Sequence, residues 1–395
     1  MAMNELHYDV KYINYEVDFN TIIDGINHYK DTVYVLNQKE KPESIRIEYF
    51  KNVVINAAGE YSTTNKRAVI PFVSFHDYYN RLVRDMKELA MNAADKCRCH
   101  QYDLVTTISK GYDAPCCAAI AHKLGCNTAL TFRAEGKYVD DCGSDIAKTM
   151  GYENVIEIDP NEYTTHTDLI EVEHICSGEL GSSLSFVGFD KHIQGKVLLT
   201  GDRGDSVWGR FSENRNNEFA FKDMLSHLSD GERRLWSNYI SVPMPLYGAS
   251  AWTSIYDISN SDEMRPWCVN KNYDRPIPRR IVEETGVKRE AFGVEKHGAG
   301  FVYKFDWMQR VKSRMSPTAA ADFERYVQKH RQFRPMAVML FFWKLRGVYL
   351  RRLGVKMKGL SPDEIGKIAN PMAPAYLIPW SGEHMIKRYN DILKG

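Results

Sequence analysis

Three residues have the types and settings to do chemistry together: Lys110, Asp113 and Asp205. Lys110 and Asp113 lie in Ser109-Lys-Gly-Tyr-Asp113, and Asp205 lies in Gly201-Asp-Arg-Gly-Asp205. A lysine in a tight loop suits an anion such as phosphate. Magnesium takes few protein carboxylates and completes its octahedron with water and phosphate oxygens, so Asp113 and Asp205 would suffice to hold it. Taken alone, the second stretch reads as a Gly-Asp turn whose aspartate caps a helix. Paired with the first loop, it reads as the other half of a metal and phosphate site.

The flanking segments say how these residues are positioned. An apolar, β-branched run from Leu104 to Ile108 breaks at Ser109 and gives way to an alanine-rich helical pattern over Ala114 to Leu124. Such a strand, loop and helix aims backbone N–H groups and the positive end of a helix dipole at one spot. Upstream, Tyr78, Leu82, Met86, Leu89 and Ala90 share one face of a helix expected from Ser74 to about Cys97. Downstream come a strand at Asn127 to Phe132, a helix near Cys142 to Met150, and strands at Asn154 to Ile158 and Lys196 to Thr200. This alternation predicts an α/β fold with a doubly wound parallel sheet. Ligands bind such sheets at the carboxyl ends of the strands, where the 109–113 loop falls.

Short β-type runs at Val33 to Leu36, Ser44 to Tyr49, Val53 to Ile55 and Ala68 to Phe72 predict a small β-rich amino-terminal domain over 1–75. The central domain is expected over 76–300, and a helical carboxyl-terminal extension over 301–395. Within the extension, Trp343 to Lys358 reads as an amphipathic helix with solvated basic side chains, or alternatively as a patch for RNA or an acidic partner.

A formal net charge of +1 over 395 residues argues against a whole-protein polyanion binder and leaves local basic patches open. No apolar run is long enough to span a bilayer and no leader pattern is found, so a cytoplasmic protein without membrane contact is expected. The eight cysteines are too sparse for a disulfide scaffold and read as reduced thiols. Cys97-Arg-Cys99-His100 lacks the paired spacing of a structural zinc site. Cys116 and Cys117 sit where a helix dipole lowers a thiol pKa, though in an alanine-rich face where cysteines more often pack. The oligomeric state is not legible.

Ser109 to Asp113 resembles the Ser-Gly-Gly-x-Asp-Ser loop of the ATP pyrophosphatases, the PP-loop or adenine nucleotide alpha hydrolase superfamily with its Rossmann-like sheet. The wider pattern is most similar to the synthetase domain of asparagine synthetase. Thr200-Gly-Asp-Arg-Gly-Asp-Ser206 is similar to its Ser-Gly-Glu-Gly-Ala-Asp-Glu, and Phe132-Arg-Ala-Glu-Gly-Lys followed by Asp140, Asp145 and Ala147 to the segment framing its adenosine pocket. Asp262-Glu-Met-Arg-Pro-Trp267 resembles Glu-Ala-Arg-x-Pro-Phe less one residue, while Arg279-Arg280 and Lys296 fall at its Leu-Arg and phosphate-binding lysine.

The resemblance implies an ATP-dependent ligase using Mg2+. A carboxylate substrate is adenylated with loss of pyrophosphate, and an amine or ammonia captures the adenylate. Ser109, Lys110, Gly111, Tyr112, Asp113, Phe132, Gly201, Asp202 and Gly204 would contact the nucleotide, and Asp113 and Asp205 the metal. Lys110 and Lys296 would hold pyrophosphate. Glu263 would serve as general base for the amine, unless it forms an ion pair with Arg265 or Arg280.

Lys110 departs from the loop's first glycine and Ala114 from its final serine. The glutaminase cysteine is missing at position 2, where Ala2 stands, which implies no glutamine hydrolysis by this chain and a separate ammonia or amine donor protein. Two other readings are a nucleobase or tRNA sulfur transferase working through Cys116 and Cys117, and a non-catalytic nucleotide-binding subunit.

Overall fold

The computed structural model describes residues 32–35, 44–47, 51–66, 69–133, 140–175, 184–211, 233–234, 237–295, 311–330 and 374–394. A five-stranded, wholly parallel sheet forms its centre: β5 (Asp103–Thr107), β6 (Thr128–Phe132), β7 (Asn154–Ile158), β8 (Lys196–Thr200) and β9 (Ile240–Pro243). Before it come two antiparallel hairpins, β1 (Thr32–Val35) with β2 (Ser44–Ile47) and β3 (Lys51–Ile55) with β4 (Tyr61–Asn65). The sheet order is β7-β6-β5-β8-β9.

Strand side chains alternate between two covered faces, as a buried parallel sheet requires. Ala129, Val197 and Leu199 face the larger core, which holds the buried residues of α1 (Phe75–Ala93), α2 (Asp113–Lys123), α3 (Ser144–Thr149), α7 (Trp252–Ser259) and α8 (Pro276–Glu283). Between α3 and α7 come the one-turn helices α4 (Glu171–His174), α5 (Asp190–Ile193) and α6 (Gly204–Val207). Val105, Leu130 and Leu198 point the other way, toward Phe189, Ile193 and Tyr239. Helix α1 starts where the Ser74 hydroxyl accepts from the Asp77 amide at 3.2 Å, and it buries Phe75, Tyr78, Leu82 and Met86. Pro276 at the first turn of α8 supplies a preset φ where no amide is needed.

The four core strands and the intervening helices form where the hydrophobic pattern predicts them. Three local readings change. The run ending at Phe72 forms no strand over 69–72. Pro71 cannot donate to a ladder, and the Phe72 amide donates to the Ser254 hydroxyl at 3.0 Å instead. Strands β4 and β9 form without a strong sequence signal, β9 at the sheet edge where its terminal Pro243 is tolerated. Helices α9 (Pro317–His330) and α10 (Pro374–Lys394) share a core with the segment between β7 and β8. Val172, Ile175, Leu184 and Val187 pack there with Phe323, Leu377 and Trp380. These two helices past residue 310 therefore pack on the segment between β7 and β8. The basic 343–358 stretch lies outside the described residues, and among those described no helix is long and apolar enough to cross a membrane.

Candidate functional site

The chain runs outward from β5 through β6 to β7 and then returns to lay β8 on the other side of β5. The order therefore reverses between β5 and β8, and a doubly wound sheet opens its ligand crevice at the carboxyl ends of such a pair. Ser109 to Asp113 leaves the end of β5, and Gly201 to Asp205 leaves the end of β8. The two loops touch. A Cβ on Gly201 would stand 2.5 Å from the Asp113 carbonyl carbon and 2.6 Å from the Ala114 nitrogen. One on Gly204 would stand 2.4 Å from Asp113 Oδ1. Both glycines are thus needed for the second loop to lie on the first turn of α2. At the end of β8, the buried Thr200 hydroxyl has no hydrogen-bond partner among the described residues. A buried hydroxyl left so is a feature that a polar ligand would satisfy.

Asp113 opens α2, where the helix dipole favours a carboxylate. Its Oδ2 accepts from Nη1 of Arg275, the residue that caps α8. The Arg275 guanidinium is nearly buried and lies 5.0 Å from the centre of the Tyr273 ring. Burial alone would lower its pKa. The charge and hydrogen bond of Asp113, and the more distant charge of Asp205, outweigh that and hold it above its ordinary value.

Lys110 is also engaged. Its ammonium pairs with Asp140 and its amide donates to Asp141 Oδ1 at 2.9 Å. The Gly111 amide donates to the Ser109 hydroxyl at 3.2 Å, and the Lys110 carbonyl accepts from Gly293 at 2.7 Å. Two of the loop amides expected to cradle pyrophosphate are therefore used inside the protein. Pro115, in the first turn of α2, has none to offer. Tyr112 turns inward and is fully buried, its hydroxyl accepting from Arg279 and its ring 4.8 Å from Tyr273. Only its backbone remains on the loop, and burial pushes its phenol above the ordinary range. A cavity of about 540 Å³ opens beside Lys110, between α3 and residues 286–295, with Ile146, Val287, Phe292 and Glu290 among its walls.

The remaining expected site residues are more dispersed. Phe132 ends β6 half-buried, stacked on Phe189 at 4.9 Å and edge-on to Phe186 at 5.2 Å. Asp202 lies 3.7 Å from Arg203, whose φ of +68° is left-handed. Glu263 pairs with Arg280 at 2.8 Å, which holds its carboxyl below the usual range. A general base working near neutrality needs the opposite shift, so Glu263 takes the ion-pair alternative. Arg280 is itself sandwiched, 3.9 Å from the Phe75 ring and 4.4 Å from Trp267. Lys296 lies outside the described residues.

Cys116 and Cys117 are fully buried, and burial pushes both thiols well above their ordinary pKa. The lowering expected from the helix dipole is overwhelmed, because these side chains point into the core rather than along the helix axis toward solvent. Cys97 and Cys99 are exposed, but His100 Nε2 donates to the Gly195 carbonyl at 2.9 Å.

Arg275, Asp141 and Tyr273 were missed from the sequence, and Asp140 was read as framing an adenosine pocket, where the structure pairs it with Lys110. One signal existed for Arg275: a cation at a helix start opposes the dipole and so calls for a nearby carboxylate.

The structure lays the loop that carries Asp205 against Asp113, yet a guanidinium already stands on Asp113. Among the described residues no three of His, Cys, Asp or Glu gather in a form that could hold a metal. With its Oδ2 on that guanidinium, Asp113 fits magnesium poorly. No protein-family model matches the chain, and no curated protein is found similar to it at a significant level.

Proposed function

We propose that this protein is an ATP-dependent ligase that adenylates a substrate carboxylate and passes the acyl group to an amine or ammonia. The observation that carries this reading is the placing of the 109–113 and 201–205 loops against each other at the β5/β8 reversal. The junction is flanked by a helix start and two cations, Lys110 and Arg275. In the reaction, a carboxylate oxygen attacks the α-phosphorus and the bond to the β-phosphate breaks, its electron pair leaving with pyrophosphate. The amine nitrogen then attacks the acyl carbon and AMP departs.

The chain's part is to bind and orient. Lys110 and Arg275 would compensate charge on the departing pyrophosphate, with Lys296 added by the resemblance. The Thr200 hydroxyl would donate to a substrate oxygen, and Phe132 would form an apolar wall near the base. Burial of Cys116 and Cys117 counts against persulfide chemistry, which needs an accessible thiolate. The engagement of Lys110 by Asp140 favours one second reading, a nucleotide-binding subunit that does no chemistry.

Purified protein should release pyrophosphate from ATP only when a carboxylate from a broad panel is present, and Asp113→Asn should abolish the release. Nucleotide binding with no release across the panel, and unaffected by Asp113→Asn, would leave the second reading.

A further inference from the structure

The pair between Asp113 and Arg275 joins residues 162 positions apart, so it is a product of the fold and not of a local turn. Two features hold it. Arg275 is 5% exposed, its guanidinium lies over Tyr273, and the backbone that carries it is fixed by Pro276 at the head of α8. Asp113 is fixed by the buried helix it opens, and Gly204 approaches it so closely that its carboxylate has little room to swing away. A divalent cation on Asp113 would have to meet this guanidinium at the same carboxylate. The guanidinium holds Oδ2, so a divalent ion on Oδ1 would stand against it across a single carboxylate; the two cations repel each other, and moving the arginine would strand a nearly buried charge.

The geometry points to Arg275 as the resident cation of this site: its guanidinium stands where Asp113 would otherwise offer a position to a divalent ion, and Asp113 serves to aim it at the anion held by the 109–113 loop. Arg275 is well made for that task. A guanidinium has five N–H donors in a rigid fork, so bonding Asp113 through one nitrogen leaves others that can reach phosphate oxygens. A lysine would spend its compact charge on the aspartate. The inference rests on the loop being an anion site, as the proposed nucleotide reading requires. It goes further by stating which group supplies the positive charge at Asp113.

The test is Mn2+ binding to the full chain without nucleotide, followed by electron paramagnetic resonance, in wild type, Asp113→Asn, Arg275→Met, Arg275→Lys and the Asp113→Asn/Arg275→Met double variant. The Mn2+ titration of wild type should be unchanged by Asp113→Asn. Arg275→Met should gain a Mn2+ site that the double variant lacks, and Arg275→Lys, which keeps the charge, should gain none. A wild-type Mn2+ site lost on Asp113→Asn would overturn the inference, as would a folded Arg275→Met with no added site. The wild-type and Asp113→Asn comparison decides even if Arg275→Met fails to fold.

Calorimetry with pyrophosphate in EDTA forms the second arm. Wild type should bind, and Arg275→Met at least about tenfold more weakly, the loss of one charge-assisted contact. Binding by wild type only when Mn2+ is added would overturn the inference. Failure of every form to bind pyrophosphate, with or without metal, would remove the nucleotide reading instead and leave the Mn2+ comparison to judge Arg275.

Discussion

Replacing Gly201 with alanine is the most direct probe of whether the two loops make one site. The added Cβ would lie 2.5 Å from the Asp113 carbonyl carbon, 2.6 Å from the Ala114 nitrogen and 2.7 Å from the Asp113 oxygen. Non-bonded carbons rest at about 3.5–4.0 Å, so something must move by about 1 Å. All three atoms are backbone, and no flexible side-chain end can give way. They belong to a helix whose residues 115–121 are all buried, so the 201–205 loop is the part that yields. Overpacking of this kind costs about 1–3 kcal/mol. A shift near 1 Å in a group that positions substrate can cost about 100-fold in rate. The assays are urea denaturation and pyrophosphate release. Gly125→Ala is the control: its φ of +90° makes alanine strained, by about 1–2 kcal/mol, but nothing lies within 4 Å of the new Cβ and the residue follows the far end of α2. It should lose stability and keep the site. If Gly201→Ala stays within about 0.5 kcal/mol of wild type, the range of an inconsequential surface change, and keeps its activity, the close approach is refuted.

Tyr112→Phe should destabilise by about 1–3 kcal/mol in the same denaturation assay, because it strips an acceptor from Arg279, a 2% exposed guanidinium. A neutral result would mean that Arg279 is satisfied by Glu283 and the Arg289 carbonyl alone. Burial pushes the Glu173 carboxyl up to about 7 despite Arg388 beside it. The folded state therefore holds a proton that the unfolded chain has released, and this group's contribution is full below about pH 4.5 and lost as pH rises through about 7. Thermal unfolding between pH 4.5 and 8 should show wild type losing stability relative to Glu173→Gln; parallel curves would refute the shift. Iodoacetamide under native conditions should label the exposed Cys97 and Cys99 and spare Cys116 and Cys117 until the chain unfolds. Peptide mass spectrometry reads this directly, and early labelling of Cys116 or Cys117 would contradict their burial.

Much of the fold was legible because its central strands are buried on both faces. Runs such as Lys196 to Thr200 are apolar without alternation and are bounded by a glycine, which is a strong local signal. The elements missed are those whose reason is not local. Strand β4 is Tyr-Ser-Thr-Thr-Asn, mostly exposed, and is a strand only because β3 pairs with it. Strand β9 exists because the edge of β8 was open to it. The place of the reversal in the sheet was hidden for the same reason: alternation of strand and helix implies parallel pairing, but not on which side of β5 the fourth strand returns.

The candidate site shows a sharper limit. Residue type alone made Lys110 a phosphate contact and Asp113 a metal ligand, since an isolated charge in a loop has to be answered by something. The fold answers both from within, Lys110 with Asp140, 30 positions on, and Asp113 with Arg275, 162 positions on. Sequence spacing carries no information about such pairs, and each engages its residue before any ligand arrives. A loop whose lysine and aspartate are already matched presents less net field to an incoming polyanion than the bare motif suggests. An anion there takes Lys110 over from Asp140, while Arg275 keeps Asp113 and offers its remaining nitrogens. Such a site is selective in a way that simple attraction is not: an anion gains only if its oxygens match the geometry of donors that the nearly buried Arg275 already holds in place. The features that make the loop look less like a general phosphate trap are the ones that would let it discriminate.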